Sequence, residues 1–279
     1  MISKSDIENF WTRGDVFSRV HQAMSETGLI NKKLEIEELF PIDQYHARGI
    51  AATVDLGKRM PISKNQKIID IGCGLGGPAR YYAKEFKCFI TGIDITPSFI
   101  EIGNEFNRLT SMSDNVELLV GNGEVLDFDN ETFDGAYSQH VTMNISNREN
   151  FFSEAFRVLK KDSFFAFTEH GLGPEGKPIF PLPWANSLVM SFLLPPQKTI
   201  SILKDIGFSD IKFIETAEKY ISGYEKLIKL KSENKKPVLG IHVIGGDTMN
   251  ERSRNSMQSI KENRTLPFEI VCKLSLIHI

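Results

Sequence analysis

The central part of the chain alternates short β-branched apolar runs with longer amphipathic segments. The apolar runs predict buried strands, and they lie at residues 67–72, 89–94, 116–120, 133–139 and 164–168. Segments with helical spacing separate them, and they lie at residues 78–86, 97–109 and 148–159. This strict order of strand and helix predicts an α/β fold with a parallel sheet and helices on both of its faces.

The segments on either side of this core are predicted to be mainly helical or irregular. The first 60 residues carry apolar positions at helical spacing and include a second helix at residues 46–56. Residues 171–196 are rich in glycine and proline, which predicts a loop or a lid.

The last third of the chain returns to recognisable elements. A predicted helix at residues 197–206 ends at Gly207, where a left-handed cap is expected. Strands are predicted at residues 211–214 and 268–273, and charged helices occupy residues 220–262.

Charge excludes several classes of partner. The 279 residues contain 33 Lys and Arg against 36 Asp and Glu, a net charge of −3. No basic excess is present to neutralise phosphates, so we expect neither a nucleic-acid nor a membrane partner. The apolar stretch at residues 179–194 is interrupted by prolines and is too short for a bilayer span.

Cysteine usage and the first residues indicate the compartment. The 3 cysteines form no Cys-x-x-Cys pair, which argues against a disulfide framework and a structural zinc site. Acidic residues interrupt the first eight positions, where a secretory signal needs an apolar segment. We therefore expect a cytoplasmic protein.

A glycine loop follows the first predicted strand. Residues 72–77 read Gly-Cys-Gly-Leu-Gly-Gly, and Gly72, Gly74 and Gly77 match the G-x-G-x-x-G fingerprint of dinucleotide sites. The alternative is a turn that only packs a strand against a helix. Asp70, just before the loop, would repel a pyrophosphate but attract an ammonium and a sulfonium. The acid therefore favours S-adenosylmethionine over NAD.

Two further strand ends carry polar residues suited to this cofactor. Asp94 ends the second strand, where a carboxylate accepts the hydroxyls of an adenosine ribose or, alternatively, caps the next helix. Asn122, Gly123 and Glu124 follow the third strand, at the sheet edge where ligands of open α/β sheets bind. These residues are predicted to meet the adenine, with a plain turn as the alternative.

Four segments resemble the class I S-adenosylmethionine-dependent methyltransferases, and they are residues 68–80, 92–96, 133–145 and 157–160. The resemblance covers the chain from about Lys64 to Phe213. It implies a Rossmann-like seven-stranded sheet whose last strand is inserted antiparallel, with a helical cap over the active site. The predicted cofactor-binding residues are Asp70, Gly72, Gly74, Gly76, Asp94, Ile95, Asn122, Gly123, Glu124 and Gln139.

The same resemblance implies four parts of the chain. They are a helical cap segment at residues 1–63, a cofactor-binding core at 64–218, a helical cap insertion at 219–262, and the last strand with a tail at 263–279. Within the family, the segments at residues 43–49, 139–145 and 180–185 are most similar to sarcosine and dimethylglycine N-methyltransferases. Methyltransferases of sugars, polyketides and sterols share such segments. Asn122 departs from the family, which often has an acid there.

Methyl transfer from a sulfonium requires alignment, exclusion of water and an unprotonated nucleophile, but no metal. His140 follows the fourth strand and is the first candidate for the base, with a core histidine as the alternative. Glu169 ends the fifth strand and is a candidate to orient a histidine, to bind a substrate ammonium or to act as the base, with a helix-capping or surface acid as the alternative. By resemblance, Tyr45 and His46 line the site from the cap.

Three residues are predicted to contact the acceptor. Arg48 is suited to a substrate carboxylate, and Trp184 to a methylated ammonium through cation–π attraction. Asn144 belongs to the fourth-strand motif. A hydrophobic plug is the alternative role for Trp184.

The sequence therefore predicts methyl transfer to a small-molecule acceptor, an amine such as glycine, sarcosine or dimethylglycine. One alternative is an O-methyltransferase of a larger sugar, polyketide or quinone-type acceptor. Others are a non-catalytic cofactor-binding module and an NAD-dependent oxidoreductase, which Asp70 disfavours. Whether the chain forms a homodimer is left open.

Overall fold

The computed structural model describes residues 4–30, 32–232, 238–246 and 248–274. Residues 1–3, which belong to the N-terminal stretch without a secretory signal pattern, lie outside the described residues. So do residues 275–279 of the predicted tail. The four-part division of the chain stays a prediction.

A sheet of seven strands in the order β3-β2-β1-β4-β5-β7-β6 forms the centre of the described chain. The strands are β1 Lys67–Ile71, β2 Phe89–Asp94, β3 Val116–Val120, β4 Phe133–Gln139, β5 Leu159–Leu172, β6 Phe208–Glu215 and β7 Thr265–Leu274. The pairs among β1 to β5 are parallel, whereas β7 runs antiparallel between β5 and β6. The predicted parallel sheet and its inserted last strand are confirmed.

Helices cover both faces of the sheet and build the cap. Those between the core strands are α5 Gly77–Phe86, α6 Pro97–Leu109, α7 Arg148–Val158 and α8 Pro196–Ile206. The N-terminal helices are α1 Lys4–Thr12, α2 Val16–Glu26, α3 Ile36–Asp43 and α4 Ile50–Gly57. Before β7 lie α9 Ala217–Ser232, α10 Ile241–Gly245 and α11 Met249–Lys261.

Among the boundaries that differ from the sequence prediction, one has a local cause and one a non-local cause. The helix expected from residue 46 begins at Ile50, because Arg48 and Gly49 have φ values of 73° and 52°, outside the helical region. Strand β5 extends to Leu172, because β7 pairs with it as far as that residue. The predicted end of α8 at Gly207 is confirmed by its left-handed φ of 119°.

Two apolar layers enclose the sheet. On one face, α7 and α8 pack against Phe165, Phe167 and Ile270. On the other face, α4 and α5 pack against Ile68 and Ile90. This packing fixes the strands from both sides, so the loops at their carboxyl ends stand on a rigid base.

The segment after β5 is irregular, as its prolines predict. It contains a cis peptide bond between Phe180 and Pro181 and one 3-10 turn at Leu188–Met190. A second 3-10 turn, Thr142–Asn144, follows β4. Within the described ranges, no helix has the length and apolar character needed to cross a membrane.

Candidate functional site

A cavity of about 190 Å³ lies at the carboxyl ends of the central parallel strands. Parallel strands end at one edge of a sheet, so residues far apart in sequence meet there. Most of the predicted site residues line it, namely Tyr45, His46, Asp70, Gly72, Gly74, Asp94, Ile95, Asn122, Gly123, Glu124, Gln139, His140 and Asn144. We refer to it as the cofactor cavity.

The glycine loop forms the floor of the cofactor cavity. Gly72 has a φ of 89°, and a Cβ there would collide with the side chain of Val141. Gly74 has a φ of 54°, and a Cβ there would have no neighbour within 4 Å. Both positions need the left-handed region that glycine tolerates, and Gly74 leaves open space where a ligand can approach the backbone.

Two buried carboxyls face the same cavity. The hydroxyl of Tyr137 donates to Oδ2 of Asp70 at 2.8 Å. Asp94 accepts the backbone N–H of Gly74 at 2.9 Å and that of Thr96 at 2.9 Å. Burial raises the pKa of both, that of Asp70 to about 8 with a further contribution from Asp94. A positively charged ligand would relieve this cost, so the residues fit S-adenosylmethionine.

Asn122 and Gly76 differ from their predicted roles in detail. The side-chain oxygen of Asn122 accepts the backbone N–H of Glu124 at 3.2 Å, so one of its lone pairs is already used. Gly76 does not line the cavity. Its φ is 74°, and a Cβ there would lie 2.7 Å from Leu118, so Gly76 serves the turn into α5 and its packing.

A buried ion pair that sequence reasoning missed holds the glycine loop. Arg80 on α5 pairs with Asp43 on α3 at 3.0 Å and donates to the carbonyl of Leu75 at 2.5 Å. Burial raises the pKa of Asp43 to about 6, although the Arg80 guanidinium opposes this shift. The two residues are 37 positions apart, so no local pattern could have joined them.

A second cavity, of about 960 Å³, lies between the N-terminal helices, the loop that contains Pro183 and Trp184 (the Trp184 loop), and helices α9 to α11. We refer to it as the acceptor cavity. The side chains that line both cavities are Trp11, Tyr45, His46 and His140. The two spaces therefore meet at the edge of the sheet where His140 follows β4.

Three histidines form a cluster at this junction. The ring of His140 lies 5.6 Å from that of His46 and 5.5 Å from that of His170. The Tyr220 hydroxyl lies 2.6 Å from Nε2 of His140. Tyr220 comes from α9, and no sequence pattern connects it with β4.

The histidine cluster is neutral at pH 7. Burial lowers the pKa of His46 to about 4 and that of His170 to about 3. Burial also holds the pKa of His140 well below its ordinary value, and His170, His46 and Arg48 add to this shift. A neutral imidazole can accept a proton or a hydrogen bond, so the predicted base has the required protonation state.

The prediction of Glu169 as a base is not supported by its placement. Neighbouring strand residues point to opposite faces, so His170 reaches the acceptor cavity whereas Glu169 lines neither cavity. Glu169 is fully buried and pairs with Arg148 at 2.7 Å. Arg148 also donates to the carbonyls of Thr142 and Phe192, so the pair fastens two loops beside the site.

The three predicted substrate residues are partly occupied by contacts within the protein. Arg48 lines the acceptor cavity, but its Nη2 binds the carboxylate of Asp55, which leaves no free pair of donors for a bidentate contact. Asn144 lines the cofactor cavity and donates to the carbonyl of Trp184 at 2.9 Å. It therefore fastens the Trp184 loop.

Trp184 lines the acceptor cavity although it is almost completely buried. Its indole N–H donates to Ser191 at 3.0 Å, and the ring of His170 lies 4.6 Å from its ring. His170 thus covers part of the aromatic face that a cation would need. In the part of the chain that the structure describes, no group of three His, Cys, Asp or Glu is placed to hold a metal ion.

The strand order, the inserted antiparallel β7 and the glycine loop beside two buried acids define the Rossmann-like fold of the class I methyltransferases. Residues 69–167 match the family model of a methyltransferase domain. Over residues 69–167 the chain is therefore similar to a methyltransferase domain, and its described residues have the fold of solved methyltransferases.

Sequence and structure relatives agree with this class. The chain is 33% identical to a sterol 24-C-methyltransferase of Debaryomyces hansenii over 114 residues, which are 41% of this chain and 30% of that protein. It thus spans about a third of the length of this curated relative.

The fold extends beyond the matched domain. Phosphoethanolamine N-methyltransferase 2 of Haemonchus contortus superposes with a TM-score of 0.79 and 18% identity, over 99% of this chain and 61% of that one. A sarcosine dimethylglycine methyltransferase-like protein of Galdieria sulphuraria superposes with a TM-score of 0.69 and 16% identity, over 92% and 98%. At these identities the likeness shows a shared fold.

Proposed function

We propose that this protein transfers a methyl group from S-adenosylmethionine to a small-molecule acceptor bound in the acceptor cavity. The observation that carries the proposal is the junction of the two cavities. Trp11, Tyr45, His46 and His140 line both, so a methyl donor in one space and a nucleophile in the other meet beside these side chains.

Different residues of the cofactor cavity are suited to different parts of the methyl donor, S-adenosylmethionine. Asp70 is suited to a positively charged ammonium, and Asp94 to the ribose hydroxyls, because both carboxyls face the cofactor cavity. Asn122 and Glu124 line its far end, where an adenine would lie. When bound, S-adenosylmethionine supplies an electrophilic methyl group on a sulfonium.

His140 is suited to receive the proton of the acceptor. Burial lowers its pKa and keeps it neutral, and its Nε2 lies 2.6 Å from the Tyr220 hydroxyl. In the tautomer whose Nε2–H donates to the Tyr220 oxygen, Nδ1 keeps the lone pair that would take the proton. With the methyl donor bound, the acceptor's nucleophile would take the methyl group from the sulfonium, and the proton that the acceptor loses would pass to the imidazole or to a base in solution.

The size of the acceptor cavity favours a molecule larger than an amino acid. Its volume of about 960 Å³ is at the upper end for small-molecule sites, and Trp11, Phe40 and Met143 supply apolar wall. Glycine, sarcosine and dimethylglycine remain candidates because of the likeness in residues 43–49 and 180–185. They would leave most of this space unfilled.

A mass-spectrometric assay with methyl-labelled S-adenosylmethionine tests the proposal. Purified protein is offered glycine, sarcosine, dimethylglycine, a pool of hydroxylated aromatics and a pool of aromatic and alicyclic carboxylic acids, each beside a control without protein. We expect label in a member of the larger pools. Label in sarcosine or betaine would instead support the amine candidates. Tight binding of S-adenosylmethionine without label in any compound offered would favour the non-catalytic alternative.

A further inference from the structure

The acceptor cavity has buried nitrogen donors that no described residue satisfies. Gln44 and Arg48 both line it. Nη1 of Arg48 and Nε2 of Gln44 are buried and make no hydrogen bond of normal geometry among the described residues, although the Gln44 side chain lies near enough to the Asp43 carboxyl to act against the rise of its pKa. Gln44 is 1% exposed as a whole, and the side chain of Arg48 is 8% exposed. Buried donors without partners are costly, so a ligand that accepts from them is the simplest explanation.

The orientation of each donor follows from its other contacts. The side-chain oxygen of Gln44 accepts the Thr53 hydroxyl at 2.6 Å, which leaves the amide nitrogen on the opposite side. Nη2 of Arg48 is taken by Asp55, whereas Nη1 has its nearest acid, Glu269, at 3.8 Å. Nε2 of Gln44 and Nη1 of Arg48 can only donate hydrogen bonds, so a ligand that binds them must present oxygen acceptors.

The charges around Arg48 leave a positive excess. The cations of this network are Arg48, Arg59 and Lys219, and its acids are Asp55 and Glu269. Three cations against two carboxylates give a formal charge of +1 on the described residues. Glu218 and Lys226 also line the cavity, are exposed, and carry opposite charges that sum to zero.

The histidines do not change this balance. Burial lowers the pKa of His46 and His170 to about 4 and about 3, so both are neutral at pH 7. Glu169 and Glu269 are paired with arginines and do not line the cavity. Among the described residues of the wall, a substrate ammonium would therefore find an unpaired carboxylate only at the exposed Glu218, whereas an anionic oxygen group would find a buried guanidinium and a buried amide.

We propose that the acceptor carries a carboxylate on a largely apolar body, and that Arg48 and Gln44 bind this carboxylate inside the acceptor cavity. The proposal rests on the methyl-transfer function above and specifies its substrate class. It assigns Arg48 one single donor contact instead of a bidentate one.

Three probes with one skeleton and different head groups test the proposal. Phenylbutyrate, phenylbutyramide and phenylbutylamine are titrated calorimetrically into protein saturated with S-adenosylhomocysteine. We expect phenylbutyrate to bind at least about tenfold more tightly than phenylbutylamine, with the amide between them. Equal or tighter binding of the amine overturns the proposal, and so does the absence of binding by all three probes.

Variants distinguish the donors from general charge. Arg48→Met should weaken phenylbutyrate binding at least about tenfold, and Gln44→Leu should weaken it by a smaller factor. Arg254→Met is the control for loss of one arginine, because Arg254 on α11 is exposed and lines neither cavity. Unchanged phenylbutyrate binding in both cavity variants contradicts the proposal.

Binding of S-adenosylhomocysteine is measured first for every variant. Retained binding shows that the variant is folded and that the cofactor cavity is intact. If the unmodified protein does not bind S-adenosylhomocysteine, the methyl-transfer function fails. If it binds S-adenosylhomocysteine but prefers the amine probe, only the carboxylate assignment fails.

Discussion

The two cavities that meet at His140 differ in the polar groups they present. The cofactor cavity has the buried carboxyls of Asp70 and Asp94 in its wall. The acceptor cavity instead has neutral histidines and the unsatisfied nitrogens of Gln44 and Arg48. One side therefore suits a cation and the other a neutral or anionic oxygen group.

This difference fits the charge changes of methyl transfer. The donor enters with a sulfonium and an ammonium and leaves without the sulfonium charge, so acids beside it favour the donor over its product. The acceptor must present a lone pair, and a described wall without a buried unpaired carboxylate does not favour its protonated, cationic form. The different polar linings thus support the proposed arrangement, with the methyl donor in the cofactor cavity and the nucleophile in the acceptor cavity.

The largest effect is expected at Asp94. Asp94→Ala removes the acceptor of two backbone N–H groups, from Gly74 and Thr96, and the proposed acceptor of two ribose hydroxyls. Hydrogen bonds to a charged group are worth about 1.5–3 kcal/mol each, so we expect S-adenosylhomocysteine to bind about a thousandfold more weakly in calorimetry. Asp127→Ala, in an exposed loop, is the control. Unchanged affinity for S-adenosylhomocysteine in the Asp94 variant would show that this buried acid does not hold the donor.

His140 tests the junction itself. His140→Ala should lower turnover about a hundredfold, because a positioned acid–base group contributes at least this much, while cofactor affinity changes little. Stopped-assay mass spectrometry and calorimetry measure the two quantities separately. The control is His21→Ala, a histidine on α2 that pairs with Glu105 at 2.9 Å. Wild-type turnover in the His140 variant would exclude it as the base.

The neutral histidines predict a loss of stability in acid. The pKa of His170 is about 3 in the folded chain and 6.5 ordinarily, so the unfolded chain binds a proton first as the pH falls. This contribution is complete above pH 6.5 and decreases below it. At pH 5.5 it costs about 1.4 kcal/mol relative to pH 7.

Urea unfolding measures this loss as a difference between proteins. His170→Asn removes the titrating group, so wild type should lose about 1.4 kcal/mol more than the variant between pH 7 and pH 5.5. Because Asp70 and Asp43 titrate in both proteins, their opposite contributions cancel. Parallel pH profiles would show that His170 is not held neutral. His21→Asn serves as the surface control.

The smallest effect concerns Asp70. Its pKa of about 8 means that the carboxyl is mostly protonated at pH 7, and a bound cation favours the ionised form. Binding of S-adenosylmethionine should therefore release up to about one proton, which calorimetry in buffers of different ionisation enthalpy detects. Asp70→Asn should abolish the release. An equal release from the variant would assign the proton to another group.

The cofactor half of the site was largely predictable, because its residues lie in short segments next to the strands that position them. Asp70 directly precedes the glycine loop, and Asp94 ends the following strand. Strand ends of a parallel sheet meet at one edge by topology, so local pattern was enough to group them. Gly76 was grouped with them because the motif does not show which glycine faces the ligand and which faces Leu118.

The acceptor half was predicted less well, because its contacts join residues that are distant in sequence. Tyr220 contacts His140, which is 80 residues away in the sequence. Arg148 pairs with Glu169, 21 residues away, and so occupies its carboxylate. The structure does not place Glu169 at either cavity, because strand alternation turns it away and brings the neighbouring His170 to the acceptor cavity.

The sequence by itself determined the order of strands and helices, the glycine loop and the acids beside it, because each is a local matter of hydrophobic period, turn chemistry and spacing. Only the tertiary structure decided which side chains remain free to meet a ligand. Burial sets the protonation state of the histidines, and partners such as Asp55 and Arg148 occupy Arg48 and Glu169. These are properties of packed neighbours, and a linear pattern does not contain them.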